Sequence, residues 1–211
     1  MDGLTTSEST VRFARLSRTR RVETVSDDED AQLMLAYARG EMRAFETLYS
    51  RHRGALYRYL TRQARDGEVA NDLFQEVWSR VIVNRARYEP RAKFRTFLFT
   101  LAHNCFIDHC RRTKARPGGF SVEDADDADM LPAADDTQPD AMLSREENSR
   151  RYRAALATLP AEQRDVYLLH EESDLSLEDI ARITGVGAET AKSRLRYAVA
   201  KLKAALTVAE A

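Results

Sequence analysis

Between Glu189 and Tyr197 the chain sets Thr190, Lys192, Ser193 and Arg196 at spacings that, at ~100° per residue, share one side of a helix with Glu189 and Tyr197. Ala191, Leu195, Ala198, Leu202 and Leu206 recur at threes and fours on the other side. Cations and hydroxyls gathered on one outward face suit the phosphates and the major-groove base edges of DNA. The segment before it carries the signals that would position such a helix. Ser176 stands three residues ahead of Asp179, a capping pattern that opens a helix predicted over Leu177 to Ile183. Thr184-Gly185-Val186-Gly187 then supplies a turn. Cap, glycine turn and polar outer face predict a helix-turn-helix, which raises DNA reading above a merely solvated amphipathic helix.

A second cluster, His103, Cys105, His109 and Cys110, has the residue types of a zinc or redox site. Helix geometry argues against it. Cys105 and His109 share one face while His103 and Cys110 share another, so the four do not converge on one ion from one helix. The two cysteines stand about 140° apart around that axis, which excludes a disulfide between them without unwinding. No metal, cofactor or catalytic constellation is expected.

These segments sit in a chain of 211 residues with a net charge of −1, so nucleic-acid contacts must come from local clusters, not from a global basic surface. No run reaches the ~18 apolar residues of a membrane span, and the first residues lack the apolar core of a secretion signal; a cytoplasmic protein is expected. Residues 1–26 carry Arg12, Arg15, Arg18, Arg20 and Arg21 without an apolar period and are expected to form a disordered arm. Residues 27–116 show helical stripes throughout: Leu33, Met34 and Tyr37; Phe45, Leu48, Tyr49, Leu56 and Leu60; Leu73, Val77 and Val81; Phe94, Leu98, Leu101 and Cys105. Breaks fall at Gly40, at Arg65-Asp66-Gly67 and at Glu89-Pro90. Trp78 and Phe97 lie on apolar faces and are assigned to the core. Residues 117–142 hold Glu123, Asp124, Asp126, Asp127, Asp129, Asp135, Asp136 and Asp140 with no Lys or Arg, which predicts a flexible acidic linker. Residues 143–207 then form a second small helical unit ending in the helix-turn-helix. The fold class is all-α: two small helical domains on a flexible acidic tether.

The residues Asp72-Leu73-Phe74-Gln75-Glu76-Val77-Trp78, then Phe94 through Asn104, Ile107-Asp108 and Arg111-Arg112, resemble the second conserved region of bacterial extracytoplasmic-function (ECF) sigma factors of the sigma-70 family. Leu159-Pro160, Arg164, Leu175-Ser176, Ile180-Ala181, Thr190 and Lys192-Ser193-Arg194-Leu195 resemble the fourth. The resemblance implies a specificity subunit, not itself an enzyme, that binds the clamp helices and flap of core RNA polymerase, recognises and melts promoter DNA, and starts transcription. It implies −35 contacts from Thr190, Lys192, Ser193, Arg194, Arg196 and Tyr197, and polymerase contacts from Asp72, Gln75 and Glu76. A strand-opening protein needs cations beside the backbone and planar groups beside unstacked bases. Asn84, Arg87, Tyr88, Arg91 and Lys93 offer that mixture, and the resemblance gives them a flipped base of the −10 element. Arg111, Arg112, Lys114 and Arg116 suit phosphate contact. The acidic linker matches a segment that threads the polymerase cleft in this family, as a nucleic-acid mimic or as a plain tether.

The chain departs from the family at two places. Where many members carry Asp-Ala-Glu-Asp, it has Val69-Ala70-Asn71-Asp72, losing two carboxylates that meet a basic helix of the polymerase. Tyr197 replaces a common basic residue. The lost charge makes Thr61, at the end of the preceding helix, a candidate phosphosite: a phosphate adds about −1.5 to −2 at pH 7. A Ser/Thr kinase would then be the activator, in preference to release from an anti-sigma factor. The rival readings are a plain surface threonine among Arg58, Arg62 and Arg65, and, for the whole chain, a stand-alone helix-turn-helix regulator.

Overall fold

The structure, a computed structural model, describes residues 28–115 and 139–208, the side chains of 139–146 and 208 excepted. The expected N-terminal arm, Arg116 and nearly all of the acidic linker lie outside the described residues.

Four helices form the N-terminal unit: α1 (Glu29–Ala38), α2 (Met42–Ala64), α3 (Gly67–Asn84) and α4 (Phe94–Lys114). Each boundary has a local cause. Asp28 caps α1, its carboxylate accepting the Asp30 amide. Gly40, at φ 104°, turns the chain into α2. Arg65 ends α2 in the left-handed conformation, and Asp66 at once caps α3 by accepting the Glu68 and Val69 amides at 2.8 and 3.1 Å. The predicted stripes face the core, with Leu33, Phe45, Tyr49 and Leu101 half-buried at its edge. Met34, Leu48, Leu56, Leu60, Val77, Val81, Phe94, Leu98 and Cys105 are fully inaccessible, and burial of each large aliphatic or aromatic contributes roughly 1.5–3 kcal/mol. Trp78 is core, 5% exposed, packed edge-on against Phe45 at 5.7 Å.

The C-terminal unit comprises α5 (Pro139–Ala157), α6 (Ala161–Ser173), α7 (Leu177–Thr184) and α8 (Ala188–Val208). Its first helix starts at Pro139, inside the span read as linker, because a proline at a helix start gives up no needed hydrogen bond. Val166, Leu168, Leu169, Ile180, Ala191, Ala198 and Leu202 form its centre. The two units do not stand apart. α6 lies along the C-terminal half of α2, with α4 against α7, and the buried residues of both units join in one cluster.

Candidate nucleic-acid interface

The helix-turn-helix is built as its sequence requires. Ser176 Oγ accepts the Asp179 amide at 3.1 Å and donates to Asp179 Oδ2 at 2.9 Å, closing the start of α7. Gly185, at φ 67°, ends it in a conformation that disfavours any side chain. α8 follows after Gly187. Its Ala191, Leu195, Ala198 and Leu202 are buried, while Glu189, Thr190, Lys192, Arg196 and Tyr197 are exposed and Ser193 is half-buried. Tyr197 keeps 52% of its surface, and the Arg196 guanidinium sits 5.1 Å from its ring centroid, so the two form one planar cationic element. Arg194 goes elsewhere. It is half-buried on the flank of α8 and ion-paired with Glu162, tying α8 to α6. The structure therefore groups Thr190, Lys192, Ser193, Arg196 and Tyr197 and separates Arg194 from them.

A second surface forms between α3 and α4. The chain leaves α3 through a 3-10 turn, Arg85–Arg87, and then bends at Arg91–Ala92 before Lys93 at the start of α4. Asn84 Nδ2 donates to the Arg80 carbonyl at 2.8 Å, and the Phe94 amide donates to Asp28 Oδ2 at 2.6 Å, fixing both ends of the segment. Between them lies an open pocket of about 400 Å³ lined by Asn84, Arg87, Tyr88, Glu89, Arg91, Phe97 and Leu101. Four of the residues expected to hold a flipped base meet here; Lys93 stands outside the lining. The Tyr88 ring is 5.2 Å from Phe97 and 6.3 Å from Phe94, both edge to face. Its hydroxyl is buried without a hydrogen-bond partner among the described residues. Burial, with Asp28 and Asp30 adding to it, pushes the phenol well above its ordinary pKa, so the proton stays on. Phe97, assigned to the core, packs against it but is half-buried and also forms pocket wall. Phe97 and Leu101, four apart on the edge of the α4 stripe, carried that signal.

The exposed side of α3 presents Asp72 and Gln75 to solvent, while Glu76 is half-buried. Glu76 accepts from Arg80 at 2.5 Å and lies 3.8 Å from Arg112, so its charge is largely answered within the molecule. Val69, Asp72, Leu73 and Glu76 line a groove of about 300 Å³ with His109, Arg112 and Thr113 of α4. Arg111 sits 3.7 Å from Asp108. The His and Cys residues of α4 disperse. Cys105 is in the core, where burial pushes its thiol up to about 11, whereas His103 Nδ1 faces Asp165 at 3.0 Å. Cys110 is half-buried, its thiol also raised by burial. Among the described residues no group of three or more such side chains could hold a metal ion, and no helix is long and apolar enough to cross a membrane.

Family profiles match both surfaces in order. Sigma-70 region 2 covers residues 48–116 and Sigma-70 region 4 covers residues 149–202. The chain is 31% identical over 173 residues to the ECF RNA polymerase sigma factor SigM of Mycobacterium tuberculosis, spanning 82% of each chain. The chain belongs to the ECF sigma factors of the sigma-70 family. This sigma factor is also 32% identical over 165 residues to RNA polymerase sigma factor CarQ of Myxococcus xanthus, covering 78% of this chain and 90% of that one. Its fold matches the sigma factor RpoE of Bartonella quintana, solved in complex with the anti-sigma factor NepR, with a TM-score of 0.62 at 24% identity over 78% of this chain and 97% of that one. The helix-turn-helix of the sigma factor falls in region 4, and the pocket between α3 and α4 falls in region 2.

Proposed function

We propose that this sigma factor directs core RNA polymerase to two-part promoters, using the α3–α4 pocket for an unstacked base of the −10 element and the outer face of α8 for the −35 element. The observation that carries the reading is the pocket. It combines cationic Arg87 and Arg91 with the planar Tyr88 and Phe97, the mixture that single-stranded bases require. Asp72, Gln75 and Glu76 give α3 its polymerase-facing surface. Run-off transcription with core polymerase on randomised promoter templates tests this, the expected result being enrichment of two conserved blocks at fixed spacing. Enrichment of one block, without core-polymerase capture, favours the stand-alone helix-turn-helix regulator.

The same reading places control at Thr61, by a Ser/Thr kinase. Arg58, Arg62 and Arg65 surround it in sequence, one helical turn either side and adjacent, which favours a phosphate once made. Its hydroxyl is buried and unpartnered among the described residues, so a kinase must meet a rearranged form. Phosphate transfer from ATP followed by mass mapping of Thr61 tests the assignment. Since the structurally similar RpoE is described with an anti-sigma factor, co-purification of such a protein with this chain is the result that favours the alternative form of control.

A further inference from the structure

The base pocket is held from a residue outside the region 2 match. Asp28, half-buried, stands ahead of residues 48–116, yet its carboxylate serves two helices at once. One oxygen, Oδ1, accepts the Asp30 amide at 3.3 Å and caps α1. The other, Oδ2, accepts the Phe94 amide at 2.6 Å, across 66 positions of chain. Phe94 is the first residue of α4, whose own N-cap, Lys93, makes no side-chain capping bond. The cap that α4 does not supply for itself therefore comes from the start of α1. A carboxylate suits that place, because the first amides of a helix lack partners within it, the helix dipole favours negative charge there, and a bond to an ionised acceptor is roughly twice as strong as one between neutral groups.

What this bracket positions is the pocket. Phe97 and Leu101, about one and two turns after Phe94, are its α4 wall, and the facing wall, Arg87 to Arg91, joins α4 through Ala92 and Lys93 alone. Phe94 itself is fully buried, its ring 6.3 Å from that of Tyr88 and 5.3 Å from that of His52. The turn of α1 that Asp28 caps is pinned in its own right: Asp30 Oδ2 is 2.7 Å from His52 Nε2, and Asp30 Oδ1 accepts from Arg51 at 2.7 Å. Bonds thus run without a break from α2 through the start of α1 to the start of α4. Such fixity matters to a stacked base, since a radial gap of about 0.5–1 Å forfeits roughly a quarter to a half of a dispersion contact. We propose that Asp28 is a positioning residue for promoter melting: by capping α1 and α4 with one carboxylate, it sets the distance between the two walls of a base pocket that it does not itself line. The role in melting rests on the −10 reading above, whereas the bracket rests on geometry alone.

The test uses the full chain bound to core polymerase and a single-stranded −10 oligonucleotide selected by that complex from a random pool, prepared complete and with the unstacked position abasic. The parent should prefer the complete strand about tenfold, the size of one base–aromatic stack. Asp28→Asn keeps the volume of the side chain but leaves one accepting oxygen for two amides, and should cut the preference to about twofold, with capture by core polymerase and affinity for a −35 duplex unchanged. Asp28→Ala accepts neither amide; it should abolish the preference and speed hydrogen exchange at the Phe94 amide about tenfold. Because the readout is a ratio between two strands, general loss of stability does not move it. Equal weakening on both strands with the ratio kept, or parent-like discrimination in both variants, overturns the positioning role. A parent that binds both strands alike overturns the base-pocket reading itself, and the positioning role falls with it.

Discussion

Replacement of Asn71 by glutamate is the cleanest probe of how this sigma factor meets core polymerase. Asn71 and Asp72 are exposed on the first turns of α3, and Glu76 is already answered by Arg80 and Arg112, leaving Asp72, with Glu68 one turn earlier, as the acids that face outward. One added carboxylate about 4 Å from a cation of the polymerase gains about 1 kcal/mol in a water-like dielectric, or roughly fivefold in Kd. Val69→Asp adds a second charge at a less favourable place. Val69 is half-buried and packs on the core, so burial worth about 1 kcal/mol is lost. A carboxylate in the first turn of a helix recovers about 0.3–1 kcal/mol of that. The double variant should therefore bind roughly thirtyfold tighter, at about 2 kcal/mol, with folding stability close to the parent's. Surface-immobilised core polymerase, titrated at about 0.05 M and about 0.5 M salt, measures it; screening over about one Debye length at the higher salt should reduce the gain to about fourfold. An unchanged Kd at low salt, or a gain undiminished at high salt, refutes the charge argument.

On α8, Lys192→Ala should weaken binding to all −35 sequences alike and lower the salt slope by about one, whereas Arg196→Ala should relax base preference at one or two positions; competition binding on randomised duplexes distinguishes the two. Tyr88→Ala should leave duplex −35 binding intact but slow promoter melting, read with a fluorescent base in the −10 block, at a cost of about 1–3 kcal/mol for the lost stacking. Asp30 gives a pH signature. Although burial opposes it, hydrogen bonds from His52 and Arg51 hold its carboxyl down from 3.8 to about 2, so the folded state gains about 2 kcal/mol above pH 4 that fades as pH falls toward 2. Asp30→Asn should thus melt earlier at pH 7, with the difference from the parent shrinking across that window. Thr61→Glu, which places a carboxylate one turn from Arg58 and Arg65, should weaken their bonds to Glu172 and to the Ala157 carbonyl and lower the melting temperature in a thermal scan.

Sequence patterns led to the helices and to the residues that group on α8 and around the α3–α4 pocket because each rests on local chemistry. Asp66 and Ser176 announce their caps, Gly185 its turn, and the stripe from Ala191 to Leu202 its buried side. The pocket residues Asn84, Arg87, Tyr88 and Arg91 were legible for a related reason: they occupy one short segment between two helices. What local pattern could not show depends on distant partners. Arg194 belongs by spacing with Lys192 and Arg196, and only the approach of α6 turns it toward Glu162. Tyr59 and Gln63 look like ordinary inward residues of α2 until Asp165, 106 and 102 positions later, arrives between them. An expected pair of tethered domains therefore proved to share a polar seam.

Arg65 and Asp174 end their helices at φ 61° and 56°, a region where glycine is easier and other residues lose roughly 1–2 kcal/mol. Both also reach across the seam, to the Ala157 carbonyl and to Arg95. A glycine at either place relieves the backbone by about what it adds in unfolded-chain freedom, so the helices persist while a cross-seam bond disappears. The two positions let evolution, or an engineer, tune the contact between the two helical units without touching the core or the outer face of α8. Strength of that contact and durability of each unit are in this way separately adjustable.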